Sequence, residues 1–429
     1  MKVLWFSPTP CGSIKRFSQS PTLGSWMISL EDMLKQQKDV ELYVAYLSVT
    51  KEPPFVFDGV TYLPIDDSSS RGFIRIVRRH IQISKIDKRI YDDSKRIINI
   101  VSPDIIHIHG TERCFGNVIG YAEENRIPVV FSIQGVLSSY KEFFYRGFKA
   151  HMLHRFESPL EILRGTGHKN EYRMFCRDAN REMKYLSHSQ YIIGRTHFDE
   201  MITLAFNPSR HYYSVNEVLR QPFFINEWKG SFFTQSPGKI KILSLVSCRP
   251  YKGIEMPLKA AILLKNHLNI DFEWNVIGID PSSKYVKASE ALTGINSEDV
   301  GVYYLGVKNA EEISEIMVYS DIFVQTSHIE NSPNSLCEAM CIGMPIVASF
   351  AGGTSSLLED GKEGLLYQDG DQYTLSGEIL HILSNREYAI SLGIAAKERA
   401  RTRHCPENVV KELIDCYNEI LDDWRIAGR

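Results

Sequence analysis

Short runs of apolar, β-favouring residues alternate along the chain with stretches whose apolar positions recur every three or four residues. Residues 3–6, 40–46, 104–109, 129–133 and 191–193 read as buried strands. Between them, residues 26–37, 73–100 and 115–125 read as amphipathic helices. The series starts again at 240–245 and continues through strands at 274–277, 302–305, 322–325 and 346–348. Helical patterns separate these around 255–268, 310–319, 334–342 and 372–403. Strands alternating with helices predict parallel sheets with helices on both faces. A turn-rich segment from Ser231 to Gly238 divides the two series. The expected fold is therefore α/β, with two doubly wound, Rossmann-like domains facing across a cleft. Their expected extents are 1–228 and 229–408, with a final helical pattern in a tail at 409–429.

A length of 429 residues suits two such domains. With 43% hydrophobic and 24% charged residues, the chain is neither disordered nor collagen-like. Its net charge of −3 argues against a nucleic-acid partner. That charge is unevenly placed. Residues 1–228 carry 30 Lys+Arg against 25 Asp+Glu, a net +5, and residues 229–429 carry 19 against 27, a net −8. The apolar start, Val3-Leu4-Trp5-Phe6, is cut short by Pro8 and Pro10 and is too brief for a signal peptide. The eight cysteines lack any CxxC pair, and Cys337 and Cys341 have no His or further Cys near enough in sequence to suggest a zinc site. Reduced thiols in a cytoplasmic protein are expected.

Ligands of open parallel sheets bind beyond the carboxyl ends of the strands. The richest loop there follows the strand at 322–325 and runs from Thr326 through Glu330 and Pro333 to Glu338. Pro333 and Asn334 are good helix starters, so the N–H groups of Asn334, Ser335 and Leu336 are expected to point out of a helix end that would hold a diphosphate. Glu330 and Glu338 would reach the pocket at different depths, one for sugar hydroxyls and one for a ribose. Gly343, Gly352 and Gly353 permit close backbone approach beside the same strand ends. A second anion site is expected at Ser247-Cys248-Arg249-Pro250-Tyr251-Lys252-Gly253, where Arg249 and Lys252 flank the loop.

Lys252-Gly253, Glu330 to Glu338-Ala339-Met340, Gly343-Met344-Pro345, Gly352-Gly353 and Gly361-Lys362-Glu363-Gly364 together resemble the retaining glycosyltransferases of family 4. That family has the GT-B fold. The resemblance covers most of 240–400; in the first half it is confined to the 104–110 strand end and to Gly24, which opens the first helix. It implies that Lys252 and Arg249 bind the donor diphosphate, Glu330 the donor sugar and Glu338 the ribose. It places Gly306-Val307 beside the nucleobase, Gly24 in a glycine loop at the donor, and His109 near the transferred sugar. It also implies that the last helix crosses back onto the first domain.

The expected activity is retaining transfer of a hexosyl or N-acetylhexosaminyl group from a UDP- or GDP-sugar. The acceptor would be a saccharide or lipid-linked saccharide in surface polysaccharide or glycolipid assembly, and no permanently bound cofactor is expected. Catalysis would rest on His109, Glu330 and Lys252. Two other readings are a nucleotide-sugar epimerase of GT-B fold and a catalytically silent partner of a polysaccharide-synthesis complex. The sequence departs from the family in having Gly24-Ser25 for a double glycine, Asn331-Ser332 for Phe-Gly, and only two residues between Arg249 and Lys252.

His107 and His109 are expected to divide between the two sheet faces, with His109 reaching the cleft. Asp369-Gly370-Asp371 looks like a metal-binding DxD but reads as a turn and helix cap, so no metal is expected. Residues 71–96 carry nine Lys+Arg, among them Arg71, Arg75, Arg78 and Arg79, against three acids. Lys141, Arg146, Lys149 and Arg155 stand among Phe143, Phe144, Tyr145 and Phe148. Both stretches are candidates for peripheral docking on an anionic membrane's inner face. Arg195-Thr196-His197-Phe198-Asp199 is read as an acceptor or hinge segment.

Overall fold

The structure, a computed structural model, describes residues 1–16, 26–67, 83–234 and 238–428. Gly24 and the basic residues Arg71 to Arg79 lie outside the described residues. The first domain holds β1 (Lys2–Ser7), β2 (Glu41–Ser48), β3 (Phe55–Phe57), β4 (Val60–Asp66), β5 (Ile105–His109), β6 (Val129–Ser132), β7 (Tyr191–Gly194) and β8 (His211–Ser214). They form one sheet in the order β3-β4-β2-β1-β5-β6-β7-β8, parallel except for the β3–β4 pair. Helices α1 (Trp26–Leu34), α2 (Ile83–Val101), α3 (Leu137–Phe143), α4 (His168–His188) and α5 (His197–Phe206) belong to this half.

The second domain holds β9 (Ile240–Leu245), β10 (Phe272–Ile277), β11 (Val302–Tyr304), β12 (Ile322–Gln325), β13 (Ile346–Phe350) and β14 (Leu365–Gln368). Its sheet order is β11-β10-β9-β12-β13-β14. The order reverses between β9 and β12, which makes their carboxyl ends the switch point where ligands bind. Helices α6 (Met256–Ile262), α7 (Asn334–Ile342), α8 (Arg386–Arg403) and α9 (Pro406–Ile426) complete the elements used below.

The central strands are apolar without interruption because helices cover both faces; Val3, Leu4, Trp5 and Phe6 are all fully buried. Elements the pattern did not reveal are short or polar. The β3–β4 hairpin is closed by Asp58 and Gly59, both at positive φ (50° and 82°), the turn chemistry that suits a two-residue hairpin. The helical pattern at 372–403 is two helices. Asn385 is extended (φ −138°) and its side chain accepts a hydrogen bond from the Tyr388 N–H, capping α8.

The linker hands its side chains from one core to the other between Val218, packed in the first domain, and Leu219, packed in the second. After α8 the chain returns. Val409, Leu413, Tyr417, Ile420 and Trp424 of α9 lie in the same core as Val3, Trp5, Leu30 and Val44. Tyr417 Oη accepts from Trp5 Nε1 (3.1 Å) and is paired with His107 Nδ1 (2.6 Å), all three groups being buried. Tyr417→Phe removes the hydroxyl that partners both groups while keeping the ring. It is expected to cost about 1–3 kcal/mol, because two buried polar atoms lose their only shared partner. Denaturant unfolding followed by Trp fluorescence would show this as a lower midpoint.

Candidate functional site

The switch point is built from two loops pressed together, and glycines allow it. After β9 the chain runs through Ser247 and Arg249 into a tight turn, Pro250–Lys252, closed by Gly253 at φ +65°. A Cβ on Gly253 would lie 1.9 Å from the Thr326 carbonyl oxygen, in the loop after β12. On the other side, a Cβ on Gly352 would lie 2.0 Å from the Glu330 carbonyl oxygen, and one on Gly353 would lie 2.1 Å from that of Asn331. The His328 N–H donates to Tyr251 O (2.8 Å) and the Gly353 N–H to Glu330 O (2.9 Å). The β12 loop is thus held between two backbones. Gly253→Ala is expected to destabilise the second domain by about 1–2 kcal/mol through its left-handed backbone alone, and further by collision with a carbonyl that cannot swing aside. Thermal denaturation would register the loss.

Between these loops lies a cavity of about 320 Å³ whose lining includes Ser247, Lys252, Val307, Lys308, Glu330, Asn334 and Ser335. Five of the residues singled out in the sequence therefore meet there. The Lys252 ammonium contacts the Glu330 carboxylate, which also accepts from Ser327 Oγ (2.8 Å). Val307 is 74% exposed at the rim, available as a flat apolar edge. Ser247, which opens the expected second anion loop, lines the cavity too, whereas Lys308, next to Val307, was not anticipated.

Three expectations change. Leu336 is fully buried and its N–H is spent on Pro333 O (3.0 Å), so the free helix end is that of Asn334 and Ser335. Glu338 does not line the cavity. It is gripped by the Arg220 guanidinium from the interdomain linker in two parallel hydrogen bonds (2.7 and 2.8 Å). Arg249 pairs with Glu171 of α4, across the cleft.

The first domain presents the carboxyl ends of β5, β6 and β7 to these loops. His109 ends β5 and is 2% exposed. It shares a face with His107, as the two-residue period of a strand requires, and the rings stack at 3.8 Å; the expected division between faces does not occur. Burial, then His107 and Arg195, hold the His109 pKa well below the usual imidazole range, so the ring is neutral. Its Nε2 is buried without a partner among the described residues. Glu112, just beyond, was not anticipated; burial pushes its pKa up to about 7.

Arg195 is stacked over the Trp26 ring (4.3 Å) and paired with Glu217 (3.3 Å). The segment it opens is an interdomain contact. Thr196 Oγ1 donates to Asn331 Oδ1 (2.6 Å), and Asn331 Nδ2 donates to Asp199 Oδ2 (2.8 Å).

The aromatic stretch near 141–156 is in part core. Phe144 is fully buried against Tyr172, Phe175 and Tyr251. Phe148 and Leu153 are packed into the second domain's core. Their partners are far away in the sequence: Tyr172 and Phe175 on α4, and Tyr251 and the core of the second domain. Nearby, His154, Glu157 and His168 gather within 4.8 Å, but Lys284 stands 3.7 Å from the Glu157 carboxylate, which marks an interdomain ion cluster. In Asp369-Gly370-Asp371, Asp371 caps a helix through the Tyr373 N–H, whereas Asp369 is paired with His328 (2.6 Å).

Residues 227–399 match the family described as glycosyl transferases group 1. The amylovoran biosynthesis glycosyltransferase AmsK of Erwinia amylovora is 28% identical over 187 residues, covering 42% of this chain and 45% of that protein. The chain matches less than half the length of the first curated relatives it resembles. In structure it resembles sucrose-phosphate synthase from Thermosynechococcus elongatus (TM-score 0.71, 14% identity, 98% of this chain and 99% of that one). It also resembles Anabaena HepE in complex with UDP and glucose (TM-score 0.59, 16% identity, 97% and 98% covered). These likenesses establish the GT-B fold.

Proposed function

We propose that this chain, whose residues 227–399 match the glycosyl transferases group 1 family on a GT-B frame, transfers a sugar from a nucleoside diphosphate sugar to an acceptor hydroxyl in polysaccharide or glycoconjugate assembly. The observation that carries the reading is the cavity at the β9/β12 switch point, where the ammonium groups of Lys252 and Lys308, one carboxylate and an open helix end converge. The diphosphate would lie between Lys252 and the helix end at Asn334 and Ser335, its charge met by the ammonium and the helix dipole. Glu330, an acceptor of hydrogen bonds only, would hold donor-sugar hydroxyls. Val307 would flank the base. His109, neutral and with an unpartnered Nε2, would offer one hydrogen bond at the transferred sugar.

Among the residues lining the cavity Glu330 is the sole carboxylate. Retention is the stereochemistry that the family resemblance implies, with the departing phosphate taking the acceptor proton; the carboxylate pair of a glycoside hydrolase is not present among the described lining residues. UDP- and GDP-sugars are the donors to test, with hexosyl and N-acetylhexosaminyl groups. A preferred donor at a hundred times its Kd should stabilise the protein by about 2.7 kcal/mol, seen as a raised Tm. Slow release of nucleoside diphosphate should accompany it. Binding without any turnover would instead favour a catalytically silent partner, and a panel with no Tm shift and no release would sink the reading.

No helix among the described residues is long and apolar enough to cross a membrane. A lipid-linked acceptor presented at the inner face of a membrane would then be met by a peripheral surface, and the basic residues of 71–96 are the sequence feature that supports one. Vesicles rich in anionic lipid should co-sediment the protein at low salt and release it at high salt; failure to bind at low salt removes this part.

A further inference from the structure

His328 was not singled out by the sequence, yet it is 2% exposed and stands two residues before Glu330. Its Nδ1 meets Asp369 Oδ1 at 2.6 Å and its Nε2 meets Glu255 Oε1 at 3.0 Å. A ring that donates at both nitrogens is an imidazolium. The two carboxylates come from different elements: Glu255 precedes α6 and Asp369 follows β14. Asp369 is also reached from the first domain, by the Arg146 guanidinium at 3.4 Å. Gly147, beside Arg146, passes so close to Glu255 that a Cβ there would lie 2.2 Å from its carboxylate.

On the other side of Glu330, Asn331 is tied to the first domain through Thr196 and Asp199. Glu330 thus lies on a loop pinned at both flanks to the opposite domain.

We propose that His328 is the positioning residue of this loop: bridged between Asp369 and Glu255, it holds residues 326–333 in the register at which Glu330 meets Lys252, and through Asp369 and Arg146 it makes that register depend on the first domain. The inference rests on the donor-site reading given above for its consequence, though not for its geometry. Donor binding and domain docking become one equilibrium. A loop loosened at His328 presents Glu330 in several positions, and the nucleotide must then select one of them.

The charges facing the imidazole are Asp369 and Glu255, with Lys259 on α6 3.5 Å from Glu255 and Arg146 on Asp369. Tyr367 of β14 lies beside the two carboxylates and is fully buried. Burial opposes the charged ring, but the hydrogen bonds to Asp369 and Glu255 outweigh it and push its pKa up to about 9. The sign follows. The raised value means that the clamp's stabilisation is complete below the unfolded value near 6.5 and is lost as pH rises through about 9.

The test compares wild type with His328→Gln, which keeps the size but not the charge, and with Arg146→Ala, which leaves the buried bridge in place. Hydrogen exchange of the nucleotide-free proteins at pH 7 should show the His328 and Gly353 amides exchanging at least tenfold faster in His328→Gln, and about threefold faster in Arg146→Ala. The Tm of wild type should fall between pH 8 and pH 10 by more than that of His328→Gln. UDP and GDP, used as probes, should bind wild type about tenfold more tightly than His328→Gln. Unchanged exchange in His328→Gln would overturn the proposal, and unchanged exchange in Arg146→Ala would overturn its interdomain half. If exchange changes as expected but wild type binds neither nucleotide, the donor reading fails while the positioning role stands.

Discussion

Lys252→Ala is expected to lower kcat/KM for sugar transfer by about a hundred- to a thousandfold, the loss seen when one preorganised donor to a developing charge is removed. Two effects act in the same direction. The leaving diphosphate loses the ammonium that lines its cavity, and the negative charge that grows as the bond to the sugar breaks is left to Lys308 and a helix end. Glu330 also loses its partner: its side chain is only 9% exposed, and Ser327 Oγ would remain as its neutral donor. An unshielded carboxylate then faces the incoming phosphates.

Lys252→Arg should recover part of the rate only, since a planar fork cannot occupy the place of a compact ammonium. Glu330→Ala should fail as completely as Lys252→Ala, and at saturating donor the defect should persist in kcat. Initial rates of nucleoside diphosphate release, with Tm recorded for each variant, check this. A Lys252→Ala enzyme within threefold of wild type would show that the diphosphate lies elsewhere.

Arg220→Ala should be the most destabilising single change at the linker, by about 3–5 kcal/mol, the usual cost of breaking a buried pair by removing one partner. Glu338 has a side-chain exposure of 3%, and both its oxygens are occupied by the guanidinium. Burial acts to raise the Glu338 pKa, and Arg220 opposes it. In Arg220→Ala the burial acts alone, so the carboxyl prefers its proton in the folded state. The sign is definite. The variant should be nearest to wild type in stability below the unfolded carboxyl value, about 4.3, and should lose stability as pH rises above it.

Glu338→Gln in the same background removes the charge and should restore most of the loss at pH 7.5, flattening the pH dependence. Denaturant midpoints at pH 5 and pH 7.5 for the single and double variants decide it. A loss independent of pH, and not relieved by Glu338→Gln, would show that Arg220 acts through its packing on Phe223 instead.

Much of this was legible from sequence for a simple reason. The central strands of a parallel sheet are buried on both faces, so 3–6, 240–245 and 322–325 stand out as apolar runs whatever surrounds them. Loops at their ends inherit a place at the switch point, which is why Lys252, Glu330, Asn334, Ser335 and Val307 could be brought to one cavity before any distance was known. Glycine was readable too: Gly253, Gly352 and Gly353 mark backbone contacts because a Cβ at each would strike a carbonyl oxygen.

What was not legible depends on partners far away in the chain. Leu336 sits one residue too deep, a difference of one N–H that only the helix's first hydrogen bonds decide. Phe144 and Phe148 carry the same pattern as a membrane-facing patch, and only packing against α4 and the second domain made them core. His328 looked like any loop histidine until Asp369 and Glu255 closed on it.

By itself, then, the sequence determined the two α/β domains, the switch-point loops and which of their residues line one cavity, because these follow from local periodicity and from where strands must end. The tertiary structure decided which of those charges are free. Arg220 takes Glu338, Glu171 takes Arg249, and Asp369 with Glu255 takes His328, since an ion pair is a contact between segments that share no sequence neighbourhood, made only when the two domains meet.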